Sequence, residues 1–147
     1  MKERFETFTM LINRISRNIR KIKNQEMAEY DLRSAHISCL YYSYSFNGLT
    51  ATDLCEKCEE DKATISRSLD YLEKRGFLTY ESKNIKRYRS PINLTDLGTK
   101  VAQKIVDKID RVLQEVGMGL SEEERVSFYK SLFIISKNLE RISNGFD

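Results

Sequence analysis

The chain has 147 residues, of which 40% are hydrophobic, 32% charged and one is proline, which excludes wholesale disorder and suits a single, largely helical domain with a core of its own. The formal charge of +3 is too small to identify a partner by itself, so the distribution of charge has to do so. No long apolar run opens the chain, because Lys2, Glu3, Arg4, Arg14, Arg17, Arg20 and Lys21 interrupt it; this argues against a signal peptide or a membrane span and predicts a cytoplasmic protein.

The first segment carries Phe5, Phe8, Ile12, Ile15, Ile19 and Ile22 at alternating spacings of three and four, the seam of a helix that packs on other helices. Ser34 to Asn47 reads as a second helix with Ile37, Leu40, Tyr41 and Tyr44 on one face, stopped by Gly48. Thr50 then caps a short helix from Ala51 to about Cys58, with Leu54 turned inward. After a turn at Glu59 and Glu60, Asp61 caps a helix from Lys62 to about Arg75, whose buried stripe is Ile65, Leu69 and Leu72 and whose stop is Gly76.

Two strands follow, Phe77 to Glu81 and Lys86 to Leu94, with Ser82 to Ile85 as the tip between them. In the second, Tyr88, Ile92 and Leu94 share one face, and Arg87, Arg89 and Asn93 the other. Pro91 cannot donate to a ladder and so implies a sheet edge. Thr95 caps the next helix, in which Val101, Ile105, Ile109, Val112 and Val116 recur before Gly117 and Gly119. Ser121 and Glu124 form a capping box for the last helix, along which Phe128, Leu132, Ile135, Leu139 and Ile142 repeat the three–four spacing. Such long seams at both ends of a small chain predict a homodimer, with Phe8, Ile12, Ile15, Ile19, Phe128, Leu132, Ile135 and Leu139 at its interface.

Helix, short turn, helix and basic hairpin is the layout of a winged helix-turn-helix. The expected fold is therefore mainly α with a small β-hairpin wing: a DNA-binding lobe over residues 34–98, flanked by dimerisation helices in 1–30 and 99–147. A helix laid in the major groove must bury one stripe and show short polar residues on the other side. With Ile65, Leu69 and Leu72 turned in, Lys62, Ala63, Thr64, Ser66, Arg67 and Asp70 face out. Between Asp61 and Pro91, eight basic residues oppose four acidic ones, a net +4 that leaves −1 for the rest of the chain. Lys83, Lys86, Arg87 and Arg89 of the wing are thus candidates to hold phosphates.

The stretch Leu49-Thr50, Asp53-Leu54, Asp61-Lys62-Ala63-Thr64-Ile65-Ser66-Arg67, Leu69-Asp70, Leu72-Glu73, Gly76-Phe77-Leu78 and Leu94-Thr95 with Gly98 resembles the MarR family of regulators. Leu32, His36 and Leu40 are similar to that family's leucine–glutamine–leucine pattern. The resemblance implies a triangular homodimer with interlocked terminal helices, each lobe reading half of a pseudo-palindromic site, usually as a repressor. It also implies a response to a small, often aromatic effector, to cysteine oxidation or to metal. Two positions depart from the family: Lys86 stands where the wing commonly has an aspartate, with Tyr88 where a second arginine is frequent, and Cys58-Glu59-Glu60 lacks the glycine often found in that turn.

Cys55 and Cys58 form a C-x-x-C, but zinc needs about four ligands and only Cys39 and His36 remain nearby in type, so no metal is expected. Three cysteines make a poor disulfide framework; Cys39, Cys55 and Cys58 read first as packed free thiols and second as candidate redox residues. His36, the only histidine, has no nucleophile or acid arranged around it, and the chain offers no catalytic constellation and no cofactor motif. His36, Tyr41 and Tyr44 are the candidate lining of an effector pocket. The alternative function is a winged-helix adaptor that docks a protein partner through its long helices and has no operator.

Overall fold

The computed structural model describes residues 2–146, with side chains from residue 6 onward; Phe5, the first position of the N-terminal seam, lies outside the described side chains. In chain order the helices are α1 (Lys2–Glu26), α2 (Ser34–Ser45), α3 (Ala51–Cys58) and α4 (Lys62–Lys74), then strands β1 (Leu78–Tyr80) and β2 (Ile92–Leu94), then α5 (Asp96–Val116) and α6 (Glu122–Asn144). They form two compact units, one ending at Lys108 and the other beginning at Ile109.

Local chemistry starts α2 and α3. Asn24 Oδ1 accepts the Ser34 N–H at 2.9 Å, and His36 Nδ1 accepts the Arg33 N–H at 3.1 Å, so the first turn of α2 is satisfied from both sides. Thr50 and Asp53 exchange bonds as a capping box at α3, with Thr50 N–H to Asp53 Oδ2 at 2.8 Å and Asp53 N–H to Thr50 Oγ at 3.3 Å. The turn without glycine is accommodated by Glu59 itself, which takes the left-handed conformation at φ 50° while the Glu60 N–H returns to the Cys55 carbonyl at 3.2 Å.

The core gathers Leu32, Ile37, Leu40, Leu54, Ile65, Leu69, Leu72, Leu78, Ile92, Val101 and Ile105, all buried. Fully burying one such side chain contributes ~1.5–3 kcal/mol, so the α2–α3–α4 contact is the main stabilising element of the lobe. The α2 face differs from the expected one: Cys39 is buried with Ile37 and Leu40, whereas Tyr41 is half-buried and Tyr44 exposed. A tyrosine hydroxyl needs a polar partner, and Tyr44 finds one in the Gln103 side chain of α5.

The hairpin is shorter than its sequence pattern. Leu78, Thr79 and Tyr80 pair antiparallel with Leu94, Asn93 and Ile92, and the Leu49 carbonyl accepts the Ile92 N–H at 2.9 Å on the far edge of β2. The expected strand from Lys86 to Leu94 starts only at Ile92, because Arg87–Arg89 form a 3-10 turn with Arg89 N–H bonded to the Lys86 carbonyl at 2.8 Å. Buried Ser90 closes the base of the loop: its Oγ accepts the Ser82 N–H at 3.0 Å and donates to the Ser82 carbonyl at 3.1 Å. The tip therefore runs from Glu81 to Pro91, and Tyr88 leaves the Ile92 face.

Behind the hairpin, Thr95 Oγ accepts the Gly98 N–H at 3.0 Å and donates to the Gly76 carbonyl at 2.6 Å, starting α5 and fixing it to the end of α4. Gly98 lies so close to the Phe77 carbonyl that a Cβ would stand 1.8 Å from its oxygen. In the second unit Ser121 and Glu124 form the expected box, Ser121 N–H to Glu124 Oε2 at 2.8 Å and Glu124 N–H to Ser121 Oγ at 3.2 Å. On α6, Phe128, Ile135, Leu139 and Ile142 are exposed and Leu132 half-buried.

Candidate nucleic-acid interface

Helix α4 presents two unlike faces. Ile65, Ser68, Leu69 and Leu72 are buried, while Lys62, Ala63, Ser66 and Arg67 are exposed and Thr64 is half-buried at the boundary. Asp61 Oδ1 accepts the Thr64 N–H at 2.7 Å, and the backbone and side chain of Thr64 hold the Asp61 carboxyl below its usual range. Arg67 extends back over the first turn, its guanidinium 3.4 Å from Thr64 Oγ. The result is a rigid helix start that shows short polar side chains and two cations to solvent, a shape and chemistry suited to a groove.

The wing adds its cations unevenly. Lys83, Lys86 and Arg89 are exposed. Lys62 of α4 and Arg89 of the wing both approach the Tyr88 ring, at 5.1 and 5.4 Å from its centroid, so this tyrosine gathers cations from the two elements that flank it. Arg87 is exposed as well and also lies against α4. It makes ion pairs to Asp70 at 3.1 Å and Glu73 at 2.8 Å on α4, and its guanidinium stands 4.7 Å from the Tyr80 ring centroid. Burial pushes the Tyr80 phenol up, against the opposing pull of Arg87. Arg87 thus braces the wing on α4, and the two acidic residues of α4 supply what the wing lacks at Lys86. A cleft of about 540 Å³ opens beside this brace, lined by Ala51, Ile65, Leu69, Tyr80, Tyr88 and Arg87 among others.

The far end of α4 is held by residues that no sequence motif marks. Tyr71 donates its hydroxyl to the Asp31 carbonyl at 2.7 Å, and Arg75 donates to the Tyr30 carbonyl at 3.1 Å and pairs with Asp31 at 3.6 Å. The ring of His36 stacks on Tyr71 with centroids 4.3 Å apart; burial, then Arg33, lowers its pKa. The three residues expected to line an effector pocket therefore have three different neighbours: His36 has Tyr71, Tyr41 meets Tyr42 edge-on at 5.3 Å, and Tyr44 has Gln103.

Of the cysteines, Cys39 is buried on α2 and Cys55 and Cys58 are half-buried on α3; Cys39, rather than Cys55 of the same C-x-x-C, is the neighbour that most lowers the Cys58 thiol from its ordinary range. Among the described residues no three histidine, cysteine or acidic side chains cluster as a metal site, and no helix is long and apolar enough to cross a membrane. The seam on α1 is open: Ile12, Ile15, Ile19 and Ile22 are exposed, Ile15 by 50%, and Phe8 is half-buried.

The model of the MarR family matches residues 30–87, which run from the end of the first helical region into the wing. An uncharacterised HTH-type transcriptional regulator of Bacillus subtilis (strain 168), YybA, is 26% identical over 134 residues, covering 88% of the chain and 87% of that protein. Among solved structures, the transcriptional regulator SlyA superposes with a TM-score of 0.84 at 25% identity, covering 95% of this chain and 99% of that one. The S. aureus MepR–DNA complex superposes with a TM-score of 0.80 at 24% identity, covering 90% and 97%. These relatives are transcription regulators rather than enzymes, and they share the flanking helices as well as the winged lobe. By family model, relatives and fold together, the chain is similar to the transcriptional regulators of the MarR family and carries their DNA-binding winged-helix fold.

Proposed function

We propose that the protein is a homodimeric repressor that lays α4 of each lobe in the major groove of one half of a pseudo-palindromic operator. The observation that supports this most directly is the outer face of α4, where Lys62, Ala63, Thr64, Ser66 and Arg67 stand over a fully buried stripe. Thr64, Ser66 and Arg67 read base edges, Ala63 and the Thr64 methyl meet thymine methyls, and Lys62, Lys83, Lys86 and Arg89 hold phosphates. Arg87 acts on DNA indirectly, by fixing the wing. Dimerisation is supported by the open apolar faces of α1 and α6, on which Ile15 is 50% and Leu139 52% exposed. Relief by a small aromatic effector has room in the cleft beside Tyr80, Tyr88 and Arg87, where binding would compete with the brace.

The test is selection from a random duplex pool at two salt concentrations, with sedimentation of the same preparation. An inverted repeat with half-sites about one helical turn apart, bound with a steep log–log salt dependence by a dimer, is the expected result. In that site Arg67→Ala costs ~1–3 kcal/mol and blurs the preference. Flat enrichment at both salts, or a monomer at micromolar concentration, overturns the reading and favours a protein-docking adaptor.

A further inference from the structure

Arg87, Tyr88 and Arg89 share one 3-10 turn and send their side chains to different partners. In a strand, neighbouring side chains point to opposite faces, which would keep Tyr88 and Arg89 apart. The turn is closed by Arg89 N–H to the Lys86 carbonyl at 2.8 Å and Ser90 N–H to the Arg87 carbonyl at 3.2 Å. It lets the Arg89 guanidinium come within 5.4 Å of the Tyr88 ring centroid. From the other element Lys62, the first residue of α4, brings Nζ to 5.1 Å from the same centroid. Both distances are within reach of a cation–π contact. The two charges stand within roughly 10 Å of each other, about one screening length in dilute salt, so their mutual repulsion is weak. Among the described residues neither Lys62 nor Arg89 has an ion pair, whereas Arg87 takes the carboxylates of Asp70 and Glu73. Both unpaired cations are exposed, and the ring between them is half-buried.

We propose that Tyr88 is a positioning residue whose ring gathers Lys62 and Arg89 into one phosphate clamp, joining the reading end of α4 to the wing. A free lysine or arginine gives up rotamer freedom when it settles on a phosphate. Held against the ring, each has given up part of that freedom beforehand, so the backbone is met at lower cost. The neutrality of the ring matters as much as its shape. A carboxylate in its place would hold the two cations as firmly but would cancel the charge that releases counterions from DNA. The clamp rests on the reading of α4 and the wing as the DNA-binding surface; the approach of the two cations to the ring does not.

The experiment measures affinity for a selected operator, as a function of salt, for the full-length wild type, Tyr88→Phe, Tyr88→Leu, the double variant Lys62→Ala/Arg89→Ala, and that double variant carrying Tyr88→Leu. Proton NMR of the DNA-free wild type reads the side-chain shifts of Lys62 and Arg89. Tyr88→Phe, which keeps the ring, is expected to bind within about twofold of wild type, and Tyr88→Leu to lose roughly tenfold. In the double-variant background the same leucine costs less than about twofold, because no cation is left to position. The double variant alone has a salt slope shallower by roughly two phosphate contacts per protomer. An equal loss from Tyr88→Leu in both backgrounds overturns the clamp and makes the tyrosine a direct DNA contact or a packing residue. An unchanged salt slope in the double variant overturns it as well. The Lys62 and Arg89 methylene protons nearest the charge should lie upfield of their unstructured positions; unstructured shifts overturn the proposal even if the leucine variants fail to fold. A wild type that enriches no operator is instead a failure of the functional reading, and the NMR shifts still decide whether the ring holds the two cations.

Discussion

Arg87→Ala separates a brace from a DNA contact. In the free protein the guanidinium holds Asp70 at 3.1 Å and Glu73 at 2.8 Å and lies 4.7 Å from the Tyr80 ring centroid. All three charged side chains are about half exposed, Arg87 by 51%, so solvent screening keeps each ion pair near the low end of ~0.2–1 kcal/mol. The ring contact adds about 0.5–1 kcal/mol. Together the variant loses about 1–1.5 kcal/mol, which for a chain of this size lowers the melting temperature by roughly 3–5 °C. Thermal unfolding followed by circular dichroism reads this directly, and hydrogen exchange across Glu81 to Pro91 should show faster opening of the wing. A melting temperature equal to that of wild type refutes the brace. If the salt slope of DNA binding has meanwhile fallen by about one ion per protomer, Arg87 is a phosphate ligand after all.

Gly98→Ala forces a Cβ to within 1.8 Å of the Phe77 carbonyl oxygen, a backbone atom also pinned by the Thr95 N–H; a loss of about 3 kcal/mol or more is expected, and a melting temperature within a few degrees of wild type contradicts it. Glu59→Gly relieves a left-handed non-glycine residue, which costs ~1–2 kcal/mol, at the expense of greater chain entropy; a gain of about 0.5 kcal/mol should raise the urea midpoint, and a fall counts against the strain. The Thr50 backbone N–H, and then its hydroxyl, hold the Asp53 carboxyl below its ordinary value. The cap's contribution is therefore complete above the unfolded pKa of ~3.9 and is lost as pH falls through the lower folded value. Asp53→Ala should cost about 1 kcal/mol at pH 7 and converge with wild type at strongly acid pH; parallel stability curves would exclude this origin.

What could be read from the residues alone follows from how far each interaction reaches. Thr50, Asp61 and Ser121 cap their helices as expected because a cap is decided within three residues. The stripe Ile65, Leu69 and Leu72 is equally local, since helical periodicity sets which face is buried. The wing was misjudged where distant partners intervene: alternation from Lys86 to Leu94 suits a strand, but Asp70 and Glu73 on α4 draw Arg87 out of line and Ser90 closes on Ser82. The same holds for the thiols. The C-x-x-C spacing draws attention to Cys55, while the neighbour that most lowers the Cys58 thiol is Cys39 of another helix; the sequence signal for it is the position of Cys39 between Ile37 and Leu40. Tyr71 and Arg75 carried no motif, because their partners Tyr30 and Asp31 lie 40 or more residues away.

Tyr30 and Asp31 form a bearing for more than one shaft. Arg75 and Tyr71 anchor the C-terminal end of α4 there, and Lys104 of α5 donates to the Tyr30 hydroxyl at 2.7 Å. Helix α4 has 13 residues, a length of about 20 Å. Clamped at one end, it behaves as a lever: a tilt of about 10° at the bearing sweeps Lys62 through roughly 3.4 Å, the rise of one base pair. A rearrangement too small to disturb the buried stripe is therefore enough to carry the reading end of the helix a whole step along the groove.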